Sequence, residues 1–128
     1  MKSIVFTIFF SCTTIFSKSQ NVARNLIGKW YSIDGKNIAL AFTSTIERKY
    51  HVKKGVKRVP DYNIEEAQIS INGDILNEKQ PGGGGIDVTH KFNISNDTLI
   101  IYYRNNTIKY SFKKISEKEF QLLTGRKF

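Results

Sequence analysis

The chain has 128 residues, 40% of them hydrophobic, with 20 Lys and Arg against 11 Asp and Glu, a formal net charge of +9. That length accommodates one domain and little else, and the charge favours anionic partners while leaving the fold open. Cys12 is the only cysteine, which excludes the intrachain disulfide framework that many small secreted domains use.

The chain opens on Met1-Lys2-Ser3, a short positive segment, followed by the apolar run Ile4-Val5-Phe6-Thr7-Ile8-Phe9-Phe10. Ser17 and Ser19 supply small residues at the minus-three and minus-one positions of a cleavage point before Gln20. A charged start, an apolar stretch and such a pair form the pattern of a secretory signal peptide over residues 1–19. The mature domain then spans residues 20–128. Phe10-Ser11-Cys12 gives a second export route, as a loose lipobox in which Cys12 is lipidated and anchors the mature chain. Both routes predict export, either secreted or periplasmic. The apolar run is interrupted at Ser11–Thr14 and is shorter than the ~20 residues that span a bilayer, so no transmembrane segment is expected in the mature chain.

Val22–Ile27 either forms a short helical turn or crosses the base of the fold. Beyond it, apolar and polar residues alternate with the period of β-strands. Ile38, Leu40 and Phe42 define one face, and Ile46, Tyr50 and Val52 define another. Ile86, Val88, His90, Phe92 and Ile94 follow, then Ile108, Tyr110 and Phe112, with Phe120 and Leu122 as a short last strand. No helix is expected after residue 27. Asn72-Gly73, set between Ile71 and Asp74, reads as a two-residue hairpin turn. Asn105-Asn106 reads the same way, and Asp34-Gly35, Lys54-Gly55 and Ser95-Asn96-Asp97 are weaker turn signals. Pro81-Gly82-Gly83-Gly84-Gly85 lacks the Gly-Lys-Ser/Thr ending of a phosphate loop and reads as a connection, either a flap over one barrel end or a plain surface loop. About eight to ten strands of roughly 5–7 residues fit this length. The predicted fold is therefore all-β, a small antiparallel up-and-down (meander) barrel, preferred to a two-sheet sandwich because successive hairpins connect the strands.

Leu26-Ile27-Gly28-Lys29-Trp30 at the first strand resembles the Gly-x-Trp start of lipocalin-like barrels. Tyr62-x-Ile64, Phe92-Asn93-Ile94, Leu99-Ile100-Ile101 and Tyr110-Ser111-Phe112-Lys113-Lys114 resemble the layout of small bacterial lipocalin-like proteins, over about residues 26–115. The resemblance implies that Gly28 and Trp30 close the barrel base with a basic residue over the indole. Lys114, which has the parity of Phe112, is the candidate for that cation–π partner. It also implies a non-enzymatic carrier of a small apolar or amphipathic ligand. The chain is shorter than ligand-carrying lipocalins and lacks their disulfide, so aromatic side chains filling the barrel remain the alternative.

Arg48 and His90 fall on the inward parity among apolar neighbours, where an unpaired charge is costly. They either anchor the carboxylate or phosphate head of a ligand or sit where the barrel opens to water. Arg48, Tyr50, His90, Phe92, Tyr103 and Tyr110 are the candidate ligand residues. Lys53, Lys54, Lys57 and Arg58 crowd the Gly55 turn and form a candidate patch for an anionic envelope surface or an acidic protein. No aromatic residues interleave with them, as a nucleic-acid platform would need. His51 and His90 are predicted to face opposite ways and there is no thiol in the mature chain, so neither a metal nor another cofactor is expected. Glu65 and Glu66 would point to opposite faces of a strand, and no serine lies in a Gly-x-Ser-x-Gly turn. No catalytic residues are assigned and no enzyme activity is expected. Two functions follow: an exported lipocalin-like ligand binder, or a solid-core barrel that acts as an envelope-surface, protein-interaction or inhibitor domain through its basic hairpin.

Overall fold

A computed structural model describes residues 24–79, 87–103 and 105–128. The predicted leader, with Cys12, and the Pro81–Gly85 segment lie outside the described residues. Eight strands form a closed antiparallel up-and-down barrel in sequence order. They are β1 (Gly28–Ser32), β2 (Ile38–Phe42), β3 (Ile46–His51), β4 (Ile64–Asn72), β5 (Ile75–Lys79), β6 (Asp87–Ser95), β7 (Thr98–Tyr103) and β8 (Ile108–Ile115). β1 pairs with β8, Trp30 opposite Lys114, which closes the sheet on itself and removes its edges. Among the described residues, no helix is long and apolar enough to cross a membrane.

The barrel has two ends. The helical turn at residues 24–26 lies at the base, where β1 begins, and buries Leu26 against Trp30. The indole Nε1–H donates to the Leu26 carbonyl at 2.9 Å, so the base is closed by packing and by a satisfied buried donor. The opposite end carries the loops 33–37, 52–63 and 105–107 and, among the described residues, forms an open mouth. Trp30, Leu40, Phe42, Phe92, Leu99, Ile101 and Phe112 meet in the middle and fill the lower barrel.

A second apolar layer lies outside the barrel. Helix α1 (Glu117–Thr124) packs on the outer face of β1 and β2. Phe120 is fully buried there with Ala39, Ala41, Tyr50, Val59 and Ile115. All five residues of β2 are buried as a result, three inward and two under the helix. The predicted last strand at Phe120–Leu122 is therefore corrected to a helix. Its local causes are a Ser116 N-cap whose hydroxyl accepts from the Glu119 N–H at 3.1 Å, acidic residues in the first turn and Gly125 in the left-handed C-cap.

Gly125 also sets a long-range contact. Its φ is +69°, and a Cβ there would collide with the Lys57 carbonyl oxygen and meet Arg58 Cα at 2.7 Å. Two additional bonds hold the same junction: Val59 N–H to the Thr124 carbonyl at 2.8 Å and Arg126 Nε to the Val59 carbonyl at 2.8 Å. Gly125→Ala should lower stability by about 1–3 kcal/mol through backbone strain and displacement of loop 52–63. Urea denaturation checks this; a midpoint equal to wild type would show that the loop is not locked to the C-cap.

The turns differ in detail from the sequence reading. Asn72 pairs with Ile75, so the β4–β5 turn is Gly73-Asp74, one residue later than predicted. Asn105 and Asn106 both have positive φ, +55° and +69°, but within a longer connection from Tyr103 to Ile108. Asn96, at φ +56°, turns β6 into β7.

Candidate functional site

The mouth of the barrel is lined by strand residues whose inward parity the register fixes. Leu76 opposite His90, Ile101 opposite Tyr110 and Tyr103 opposite Ile108 bring His90, Tyr103, Tyr110 and Ile108 to one wall. They form an open cup of about 530 Å³ with Lys49, Val88, Thr89, Asp87 and Asn105. The wall is aromatic: His90 and Tyr103 have ring centroids 4.3 Å apart, and Tyr103 and Tyr110 4.8 Å apart. Two ammonium groups approach these rings, Lys49 Nζ at 5.5 Å from Tyr103 and Lys36 Nζ at 5.5 Å from Tyr110.

Behind this wall lies a buried polar relay. His90 Nε2 is 2.8 Å from Glu78 Oε1, and both side chains are nearly enclosed. Glu78 in turn hydrogen-bonds Glu47. These carboxyl groups come from β5 and β3 and meet across β4, where the residue opposite Glu47 is Ala67. Its methyl group leaves them room.

Burial raises the Glu47 carboxyl well above its ordinary value, and the hydrogen bond and charge of Glu78 add to the rise. Burial also opposes ionisation of Glu78, but the hydrogen bonds from His90 and Glu47 outweigh it and lower that carboxyl to about 2. Glu47 thus keeps the proton and donates it, and Glu78 carries the charge. Burial, then the carboxyl groups of Glu47 and Glu78, push the Tyr103 phenol well up, so it stays a neutral donor and acceptor. Glu47 Oε2, His90 Nδ1 and the Tyr103 hydroxyl are buried without a hydrogen-bond partner among the described residues. His90 and Tyr103 line the cup with their rings, and these two atoms lie beneath its surface.

Three of the six predicted ligand residues, His90, Tyr103 and Tyr110, come together here. Phe92 faces inward but is buried in the packed centre. Arg48 and Tyr50 are corrected: both point outward. Arg48 opposes Ala41 and Tyr50 opposes Ala39, and those alanines lie under α1. Arg48 Nε pairs with Glu66 at 2.6 Å and its guanidinium covers the Phe128 ring at 4.2 Å. Tyr50 meets Phe120 edge to face at 5.0 Å. The inward residues of β3 are Glu47 and Lys49. This parity also places His51 on the side of Glu65, its partner at 2.7 Å on the rim, rather than on the face opposite His90. No group of three or more metal-ligating side chains occurs among the described residues.

At the base, Lys114 Nζ lies 5.4 Å from the Trp30 ring centroid. Gly28, at φ +140°, lets the lysine pass: a Cβ there would sit 3.2 Å from Lys114 Cε. Lys53, Lys54, Lys57 and Arg58 are exposed, but on the loop 52–63 rather than at a hairpin tip. Comparison with protein-family models, curated proteins and solved structures gave no match.

Glu47, Glu78 and Lys49 were not singled out in the sequence reading. Glu78 was within reach: it shares the parity of Leu76 two residues earlier, and the hairpin after Asn72 fixes which way that strand faces. Glu47 was not, because Ile46 and Tyr50 pointed to the wrong face of β3.

Proposed function

We propose that the protein is an exported, non-enzymatic, lipocalin-like binding module that holds a small amphipathic ligand in the barrel mouth. The observation that carries this reading is the cup: a concave site within the usual ~300–1,000 Å³ of small-molecule pockets, with a wall of three rings and two lysines beside them. Gly28, Trp30 and Lys114 at the base support the lipocalin-like assignment, and the pattern of residues 1–19 supports export. The packed centre below the cup limits the ligand to a short one, with no long chain threaded through the barrel. Glu47, Glu78 and His90 bond in series, a role suited to holding the imidazole in one orientation.

Native mass spectrometry of the protein purified from its own host tests this reading. A reproducible small-molecule adduct is expected, and a bare mass with no uptake from a panel of small amphiphiles would overturn it. Tyr110→Ala, which removes one ring from the wall, should weaken retention of the adduct by up to about tenfold, the value of one lost aromatic contact. Arg48→Ala should leave retention unchanged, since Arg48 lies outside the barrel.

A second reading, a surface-interaction domain acting through the basic loop, is favoured by one observation. Loop 52–63 is pinned at Val59 and Asp61, the latter by Arg126 at 2.6 Å, so its cations are presented on a fixed support.

A further inference from the structure

Loops 52–63 and 33–37 share the open end and are tied together by the Val52 N–H, which donates to the Asn37 carbonyl at 2.9 Å. Between its cations, loop 52–63 exposes Val56 (40%) and Tyr62 (86%), and loop 33–37 exposes Ile33 (54%) beside Lys36. The acidic side chains of these loops are engaged within the protein: Asp34 accepts from Ser111 N–H and Lys36 N–H, and Asp61 pairs with Arg126. Lys53, Lys54, Lys57 and Arg58 therefore face solvent with apolar tips among them. Cations interleaved with exposed apolar and aromatic tips match the interface of an anionic bilayer, where the charges meet headgroups and the tips enter the headgroup–acyl boundary. A soluble polyanion would use the charges and leave the tips in water.

We propose that the open end of the barrel docks on anionic lipid bilayers through loops 52–63 and 33–37, with Val56, Tyr62 and Ile33 as shallow apolar anchors. Docking in this pose turns the cup toward the lipid surface, so an amphipathic ligand would pass between bilayer and mouth with little exposure to water. That consequence rests on the ligand-binding reading of the mouth. The docking itself does not.

Co-sedimentation of the purified protein with vesicles tests the docking without any ligand. Binding is expected to phosphatidylcholine vesicles containing phosphatidylglycerol, with little to phosphatidylcholine alone, and it should weaken as salt shortens the screening length. Each cation near such a surface strengthens binding roughly fivefold, about 1 kcal/mol. The combined change Lys53→Gln, Lys54→Gln and Lys57→Gln should therefore reduce affinity on the order of a hundredfold. Val56→Ser with Tyr62→Ser should reduce it several-fold with all charges intact. These five positions are exposed loop sites, and an unchanged urea midpoint will confirm that the variants fold. Failure to bind anionic vesicles would overturn docking while leaving the mass-spectrometric test of the cup unaffected. Vesicle binding insensitive to Val56 and Tyr62, and equalled by binding to a soluble acidic polysaccharide, would also overturn it, and would assign the loop to polyanions instead.

Discussion

Phe120→Ala should lower the unfolding free energy by about 3–5 kcal/mol, the usual cost of truncating a buried phenylalanine. Phe120 is fully buried, and its ring meets Tyr50 at 5.0 Å. It is the side chain through which α1 covers Ala39 and Ala41, small outward residues of β2 that let the helix approach the sheet. An alanine there leaves a void bounded by Tyr50, Val59 and Ile115, and none of these can swing in without leaving its own contacts. Leu122→Ala, two residues along the same helix, serves as the contrast. Leu122 is 76% exposed, so that change should stay within about 0.5 kcal/mol. Urea denaturation of both variants checks the pair. A small effect at Phe120 would mean that α1 is a loosely held appendage and that the outer layer contributes little to the fold.

The same outer layer explains what could and could not be read from the sequence. Alternation in β6 and β8, the Asn96 turn and the Gly28-x-Trp30 start gave the all-β barrel and its meander order, because those strands have one wet face and one buried face. β3 does not. Its outer face lies beside α1 and the Phe128 end of the chain, so the apolar residues Ile46 and Tyr50 turn outward and the charged Glu47 and Lys49 turn in. Assigning apolar residues to the interior therefore inverted the strand and took Arg48 and Tyr50 into the cup. The signals for the helix were local and visible: Ser116 followed by Glu119 as an N-cap pair, and Gly125 as the stop. They lost to the period-two spacing of Phe120 and Leu122. The run Ile38-Ala39-Leu40-Ala41-Phe42 carried the other clue, since five uninterrupted apolar residues suit a strand covered on both sides. The meeting of Glu47 with Glu78 depends on the register across β4 and on the size of Ala67, neither of which a single strand's pattern contains.

The carboxyl pair should give the protein a stability profile that falls on both sides of the ordinary carboxylate value of 4.5. The acid limb belongs to Glu78. Its carboxyl is lowered to about 2 in the folded protein, so as pH falls from 4.5 toward 2 the unfolded chain takes up a proton that the native state refuses. Stability is then lost. The other limb belongs to Glu47, whose folded carboxyl is raised. As pH climbs above 4.5 the unfolded chain ionises while the native state keeps its proton, so the native state binds more protons and stability declines with rising pH, by up to about 1.4 kcal/mol per unit. The decline ends once the folded carboxyl itself ionises. Glu47→Gln separates the limbs, because the amide can still donate to Glu78 but has nothing to titrate. This variant should match wild type near pH 4.5 and exceed it at pH 8. Glu78→Ala should instead cost about 3–5 kcal/mol at neutral pH, as it strips the buried partner from both His90 and Glu47. Urea midpoints measured across pH for the three proteins decide the matter. Parallel profiles for wild type and Glu47→Gln would show that Glu47 ionises normally in the fold and that Glu78 is held by His90 alone.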